Sequence, residues 1–177
     1  MSSKEFIESI QFSRIETYSL FRKEIYKASI WKMIAERESL QKKQEQLGSL
    51  TKEEVSRLEE LMELRYPSQV LMDKKGKFHP SSELITSLPA KSPEVNRLIE
   101  ILKIPAVNIP EWMCMPTYRD AIAFYDEADQ VIATLNICLG CDDMRTASKG
   151  IKADEQSYQL IKPFFLELGH PISDDER

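Results

Sequence analysis

The sequence predicts an α+β fold with a long N-terminal helical hairpin, a further helix, a small antiparallel sheet centred on a β-hairpin, and a C-terminal helix. Residues 4–47 contain neither Gly nor Pro, and their apolar residues recur at helical spacing. Residues 118–126 and 131–139 instead alternate between apolar and polar positions, as two strands joined by a short polar loop do. Helical spacing returns after residue 92 and again after residue 154.

Composition and charge bound the class of protein. The chain has 177 residues, 42% hydrophobic and 30% charged, which is typical of a globular protein. A net charge of −5 disfavours nucleic acids and acidic membrane surfaces as partners, because both require a basic face. No stretch resembles a secretory signal or reaches the roughly 18 apolar residues of a membrane span. An odd number of cysteines, three, does not suit a secreted disulfide framework, so we expect a cytoplasmic protein with reduced thiols.

The helical hairpin is predicted over residues 1–67. Its first helix runs from 4 to 47 and stops at Gly48, since glycine readily adopts the left-handed conformation that ends helices. Its second helix opens at the capping box Thr51-Lys-Glu-Glu54 and stops before Pro67. Such a first helix would span roughly 65 Å, more than the roughly 40 Å diameter of a domain of this size. We therefore expect it to bend or to project from the fold.

Aromatic residues in the predicted first helix exceed what one short helix partner can cover. The candidate partner-binding residues are Tyr18, Phe21, Tyr26 and Trp31. One interpretation is that this face packs on the downstream domain. The other is that it binds a protein partner or a second copy of the chain to form a homodimer.

Residues 68–177 are predicted to form an α+β cysteine-containing domain that is continuous with the hairpin. Residues 68–91 are weakly patterned: residues 70–78 could form a small hairpin, and residues 79–91 are expected to be loop with a short turn of helix. A helix is expected after Ser92, whose hydroxyl can cap it and which is followed by proline. The last helix starts near Asp154, and Pro163 is expected to kink it or to reset its start.

The predicted β-hairpin has its cysteines where its two ends meet. If Asp126 pairs with Val131, Leu135 faces Ile122 on the partner strand. The same register brings three thiols together at the open end of the hairpin, those of Cys114, Cys138 and Cys141.

Three interpretations of these cysteines remain open. Residues three apart on a strand point to opposite faces, but Gly140 would permit a turn that brings the Cys138 and Cys141 sulfurs together. A structural zinc site would then take the ligands Cys114, Cys138, Cys141 and His170, with His79 as the alternative to His170. Redox chemistry is disfavoured, because the Cys-x-x-Cys follows a strand and precedes two aspartates whose charges oppose a thiolate. The third interpretation is inert, partly buried thiols.

Other chemistry is weakly indicated. Four acids near the hairpin could bind a cation or act as acid and base: Asp120, Asp126, Asp142 and Asp143. Hairpin ends are commonly acidic, so solvation or turn capping is the simpler interpretation. The sequence contains no P-loop, no dinucleotide-binding GxGxxG and no HExxH.

The hairpin residues form a pattern that is similar to one in a group of uncharacterised small bacterial proteins. It comprises Cys114-x-Pro116, Phe124-Tyr125-Asp126 and Ile137-Cys138-x-x-Cys141. The resemblance covers about thirty residues and excludes the helical N-terminal half. It implies an ordered cysteine site and no particular activity.

These observations favour a non-enzymatic cytosolic binding protein, such as an inhibitor, an immunity-type protein or an adaptor, that recognises a protein partner. Its helical half would carry the recognition surface and its cysteine cluster would be structural. The grounds are the missing catalytic motifs, the acidic charge and the surplus apolar helix surface. The alternative is a thiol- or metal-dependent enzyme that uses the Cys-x-x-Cys hairpin.

Overall fold

A computed structural model describes residues 1–63, 69–73, 75–111 and 114–173. The chain folds into two compact units: unit 1 comprises Met1–Leu20 and Gln69–Arg177, and unit 2 comprises Phe21–Ser68. Within the described ranges, no helix is both long enough and apolar enough to cross a membrane.

The structure contains five helices and six strands in its described part. The helices are α1 (Ser3–Ser9), α2 (Lys23–Leu47), α3 (Lys52–Glu63), α4 (Pro93–Leu102) and α5 (Glu155–Glu167). The strands are β1 (Arg14–Ser19), β2 (Glu83–Pro89), β3 (Asp120–Tyr125), β4 (Val131–Cys138), β5 (Asp143–Arg145) and β6 (Gly150–Ile151). Helices α2 and α3 belong to unit 2, and all other elements belong to unit 1.

Unit 1 is built on one antiparallel sheet with the strand order β2-β1-β3-β4-β5-β6. All six residues of β3 are buried, because β3 has neighbouring strands on both edges and packed residues on both faces. The amino end of the chain bonds to the residue that follows β6, at one edge of the sheet. The Ser3 N–H donates to the Lys152 carbonyl over 2.8 Å.

The main core combines residues of α1, α4 and α5 with one face of the sheet. Phe124 lies at its centre with no exposed surface, and its ring meets those of Phe6 and Phe12 edge-on at 5.6 and 5.1 Å. Burying a side chain of this kind contributes about 1.5–3 kcal/mol. The opposite face of the sheet carries a smaller cluster, in which Leu71 and Phe78 pack over β1 and β3.

Unit 2 consists of α2, α3 and the turn between them. Gly48 ends α2 at a φ of 70°, and its N–H donates to the Gln44 carbonyl. The capping box that opens α3 is confirmed, because Thr51 and Glu54 exchange two hydrogen bonds of 3.2 and 3.0 Å. Two ion pairs join the helices, one from Lys43 to Glu54 and one from Arg57 to Glu36.

The predicted fold class, mixed helix and antiparallel sheet with one long helix, is confirmed. The predicted helix over residues 4–47 is wrong in its first half, where the chain forms α1 and then β1. The apolar residues Ile7, Ile10, Ile15 and Tyr18 fit a helical face, but the segment from 14 to 19 forms a strand. Hydrogen bonding to both β2 and β3 stabilises β1, so tertiary pairing overrides the local pattern. Residues 1–20 consequently lie in unit 1, whereas the predicted division put residues 1–67 together.

Three further strands were not predicted. Residues 83–89 form the edge strand β2 instead of a loop, and none of its residues is fully buried, so it leaves no alternating apolar signal. The strands β5 and β6 contain only three and two residues. Helix α5 begins after Asp154 as predicted and continues through Pro163, so the expected reset of its start does not occur.

The predicted hairpin register is confirmed for Ile122 with Leu135. It fails at the turn, where a bulge after Phe124 pairs Tyr125, instead of Asp126, with Val131. Asp126 caps this turn instead, its Oδ1 accepting from the backbone N–H groups of Ala128 and Gln130. The register of the two strands is therefore as predicted except next to the turn, where the bulge shifts it.

Candidate functional site

Two of the three cysteines form a disulfide that closes one end of unit 1. Cys114 and Cys141 are bonded, with their Cα atoms 6.3 Å apart and a separation of 27 positions in sequence. The bond joins the segment before β3 to the turn between β4 and β5. It lines a cleft of about 410 Å³, together with Pro110, Glu111, Pro116, Asp142 and Asp143. Three of these seven lining residues carry carboxylates and none is basic.

The far end of the same segment is anchored by Asp154, the N-cap of α5. One carboxylate oxygen of Asp154 accepts from the backbone N–H groups of Val107 and Asn108 at 3.0 and 2.7 Å. The other accepts from Gln156 in the first turn of α5. These backbone hydrogen bonds, with that from Asn108 first, hold the pKa of Asp154 below its usual value. Asp154 therefore fixes the loop to the helix while it caps the helix.

Cys138, the third cysteine, has a free thiol and is 3% exposed. Burial raises the pKa of this thiol, and hydrogen bonds from the Thr117, Cys141 and Gly140 backbone only partly oppose the increase. A protonated, buried thiol is a poor nucleophile and a poor metal ligand.

The structure does not bring the four predicted zinc ligands together. Cys114 and Cys141 are bonded to each other, and both ring nitrogens of His170 have other partners. The alternative ligand, His79, accepts at Nδ1 from the Ser81 backbone N–H over 3.1 Å. Across the described residues, no three His, Cys, Asp or Glu side chains are grouped so that they could hold a metal ion. The four hairpin acids likewise form no such group.

His170 instead belongs to a buried trio of polar side chains in which each member is at most 3% exposed. Its Nδ1 lies 2.6 Å from Asp120 Oδ1, and its Nε2 lies 2.9 Å from Thr17 Oγ1. Since a carboxylate accepts, Nδ1 donates to it, and a neutral ring then accepts the Thr17 proton at Nε2. The ring also stacks on Phe165 at 4.3 Å. The trio resembles an acid–base–hydroxyl relay, but its burial suits it to joining the chain after α5 to β1 and β3.

A second polar cluster, absent from the sequence predictions, crosses the other face of β1 and β3. Glu16 accepts at Oε2 from the hydroxyls of Tyr18 and Tyr125, at 2.5 and 2.6 Å, and at Oε1 from Arg14. Burial alone would raise the pKa of Glu16, but the two tyrosine hydrogen bonds and the Arg14 charge outweigh it and lower the pKa. The Arg14 guanidinium also lies 3.6 Å from the centroid of the Tyr125 ring. Sequence reasoning could not find this cluster without the strand β1.

The predicted partner-binding residues do not share one helix face. Tyr18 lies in β1 and is 9% exposed, whereas the other three lie in unit 2. Trp31 on α2 is 68% exposed, Phe21 is 37% exposed and Tyr26 is half-buried. Tyr18 is therefore not on the surface of α2, and of the four predicted residues only Trp31 is largely exposed on that helix.

Helix α2 carries an exposed apolar stripe, defined as Ile25, Ala28, Trp31 and Ala35. Spacing of three to four residues puts them along one side of the helix. Ile25 is 64% exposed, and none of the 25 residues of α2 is buried. Exposed apolar residues in a row along one side of a helix differ from an ordinary solvated helix surface.

The chain matches no protein-family model, no curated protein and no solved structure.

Proposed function

We propose that the protein is a non-enzymatic binding protein that recognises a helix of a protein partner through the α2 stripe. The observation that carries the proposal is Trp31, a tryptophan held 68% exposed in the middle of a long helix. Tryptophan is among the residues that contribute most to binding energy at protein interfaces. Exposing it to water without a partner costs hydrophobic free energy.

The neighbours of Trp31 support a helix as the occupant. Ala28 and Ala35 lie on either side of it along the stripe and are exposed. Small residues let the backbone of a second helix approach closely, while the tryptophan fills a hole between that helix's side chains. The charged groups Lys27 and Lys32 border the stripe, which suits a polar rim around an apolar centre.

The proposal is tested by crosslinking and affinity measurements. A photo-reactive residue at position 28 is expected to capture one partner protein, whereas the same residue at Gln44, on the other side of α2, captures none. With that partner purified, Trp31→Ala should raise Kd about 30-fold, which corresponds to about 2 kcal/mol. Leu47→Ala is the matched control, because Leu47 is 66% exposed on the same helix but off the stripe. An unchanged Kd for Trp31→Ala would remove the proposal.

Light scattering separates a partner from a second copy of the chain. A dimer that dissociates in Trp31→Ala would replace the external partner by self-association through the same stripe. A monomer at all concentrations agrees with the proposal.

A second candidate function is thiol–disulfide exchange at Cys114–Cys141, favoured by the presence of a disulfide beside a cleft. The carboxylates of Glu111, Asp142 and Asp143 line the same cleft and oppose formation of the thiolate that such exchange requires. Turnover of a dithiol with a model disulfide substrate, lost in Cys114→Ser, would support this candidate over the first.

A further inference from the structure

We propose that residues 105–111 and 114–116, together with the cleft beside the disulfide, form a second docking surface that binds a basic and apolar segment of a protein. We call it the loop surface and define it by Val107, Ile109, Glu111, Met115 and Asp143. It lies within unit 1 and is independent of the α2 stripe.

The apolar part of the loop surface is unusually open to solvent. Val107 is 77% exposed, Met115 is 67% exposed and Ile109 is 40% exposed. The described part of this segment contains three prolines, Pro105, Pro110 and Pro116, which restrict its backbone. Apolar side chains held in water over so short a stretch are typical of an interaction site.

Two anchors hold this segment in place. Asp154 accepts from the backbone N–H groups of Val107 and Asn108, and the Glu155 N–H donates to the Asn108 carbonyl over 2.8 Å. The Cys114–Cys141 disulfide anchors the other end. Side chains on backbone that is already anchored, as at Val107 and Cys114, lose little conformational entropy on binding, which favours affinity.

The charge beside the apolar residues determines the kind of occupant. Glu111 and Asp143 line the cleft, and none of the described residues that line it is a Lys or Arg. Asp143 accepts a hydrogen bond from the Tyr118 hydroxyl. Burial raises the pKa of Tyr118, and this hydrogen bond and the Asp143 charge raise it further. Arg145 lies two residues further along β5 and partly opposes this effect, but it does not line the cleft. A lysine or arginine side chain complements the cleft, while neighbouring apolar side chains cover Val107, Ile109 and Met115.

The occupant is therefore a polypeptide segment that combines basic and apolar residues. A small cation or polyamine would use the carboxylates and leave the apolar residues exposed. An acidic peptide would be repelled. A basic and apolar peptide therefore requires both the carboxylates and the exposed apolar residues, whereas a small cation or polyamine requires only the carboxylates.

Selection from a library of random linear peptides tests the proposal on the full chain with its disulfide intact. Wild type serves as the target, and the double variant Val107→Ser/Met115→Ser is used for counter-selection. Peptides rich in Lys or Arg together with Leu, Ile or Phe are expected to be enriched. Enrichment of peptides without basic residues, or no enrichment beyond that on the double variant, would overturn the proposal.

Affinities of an enriched peptide then distinguish the parts of the surface. Val107→Ser/Met115→Ser should raise Kd about tenfold, and Glu111→Gln should raise it about threefold. The matched controls are Leu160→Ser/Leu166→Ser, which are 42% and 45% exposed on α5, and Glu127→Gln in the β3–β4 turn. Neither control should change Kd. Thermal unfolding of every variant shows that the fold survives.

Two further measurements exclude the other occupants. Increasing salt from about 50 mM to about 300 mM should weaken the peptide several-fold, because exposed charges are screened. If spermine or Ca²⁺ alone competes fully with the peptide, the cleft is a cation site and the proposal fails. Trp31→Ala should leave peptide affinity unchanged, so failure here is separate from failure of the α2 proposal.

Discussion

Two clusters of polar side chains in unit 1 join strands to each other and to the chain after α5. His170 connects the end of the chain after α5 to β1 through Thr17 and to β3 through Asp120. Glu16 connects β1 to β3 on the other face through Tyr125. Since a buried polar group without a partner costs about 1–3 kcal/mol, both clusters specify how these elements pair.

Removing the Thr17 hydroxyl should lower the free energy of unfolding much more when His170 is present than when it is replaced. Thr17→Val keeps the shape of the side chain but leaves Nε2 without its partner, so we expect a loss of about 1–3 kcal/mol. In a His170→Phe background, the same substitution should cost much less. Urea unfolding of the four proteins in this double-mutant cycle measures the coupling. Additive losses would contradict a direct interaction.

Glu16 should make stability depend on pH. Its folded pKa is lowered, so its contribution is present above the unfolded pKa and is lost as pH falls through the folded pKa. At pH 7 we expect Glu16→Gln to cost about 2 kcal/mol, because hydrogen bonds to a charged acceptor are lost. The difference from wild type should shrink as the solution becomes acidic.

Urea unfolding at a series of pH values measures this difference. Glu127→Gln is the control, since Glu127 is exposed in the β3–β4 turn and should show little difference at any pH. A Glu16→Gln penalty that stays constant down to strongly acidic pH would contradict the role given to the ionised carboxylate.

At the scale of elements, part of unit 1 is held together by side-chain anchors and not by long helices or strands. The strands β5 and β6 are very short, and the described residues between α4 and β3 belong to no helix or strand. Asp154 and the disulfide supply the anchoring that backbone ladders supply elsewhere. The loop surface is exposed because its backbone is held by these anchors and its side chains are not needed in the core.

Loss of the Cys114–Cys141 disulfide should lower stability by about 3.5 kcal/mol, from the chain entropy of a loop closed over 27 residues. We expect Cys114→Ser/Cys141→Ser to show this loss in urea, with faster amide hydrogen exchange in residues 105–111. A reductant should destabilise wild type by a similar amount and leave the double variant unchanged. Equal stability of oxidised and reduced wild type would contradict the anchoring role.

For the whole molecule, the sequence predicts the elements whose signals are local. The capping box at Thr51, the helix after Ser92 and the pairing of Ile122 with Leu135 depend on neighbouring residues, and all are confirmed. β1 could not be predicted, because its stability comes from pairing with strands more than 60 residues away. The His170 and Glu16 clusters could not be predicted either, since both require β1. The cysteines were predicted to converge as reduced thiols, and the Cys114–Cys141 disulfide corrects the expected redox state of two of them.

The two-unit organisation predicts that unit 1 can fold without unit 2. The chain leaves unit 1 after Leu20 and returns at Gln69. The Leu20 N–H donates to the Arg119 carbonyl over 2.9 Å, and the Gln69 side chain donates to the carbonyl of the preceding residue, Tyr118, over 3.4 Å. Both ends therefore bond to consecutive residues, which lie about 3.8 Å apart along the backbone. A few flexible residues are enough to span such a gap.

Replacing residues 21–68 with a short Gly-Ser linker should therefore leave unit 1 folded. We expect one cooperative thermal transition, intact near-ultraviolet circular dichroism and unchanged binding at the loop surface, while binding through the α2 stripe is lost. The matched control joins Ser13 to Gln69 with the same linker and so also removes β1, which pairs with both β2 and β3. That control should not fold, because Ile15, Thr17 and their cross-strand partners would be missing from the core. A shortened chain without a cooperative transition would mean that unit 1 depends on unit 2 for its stability.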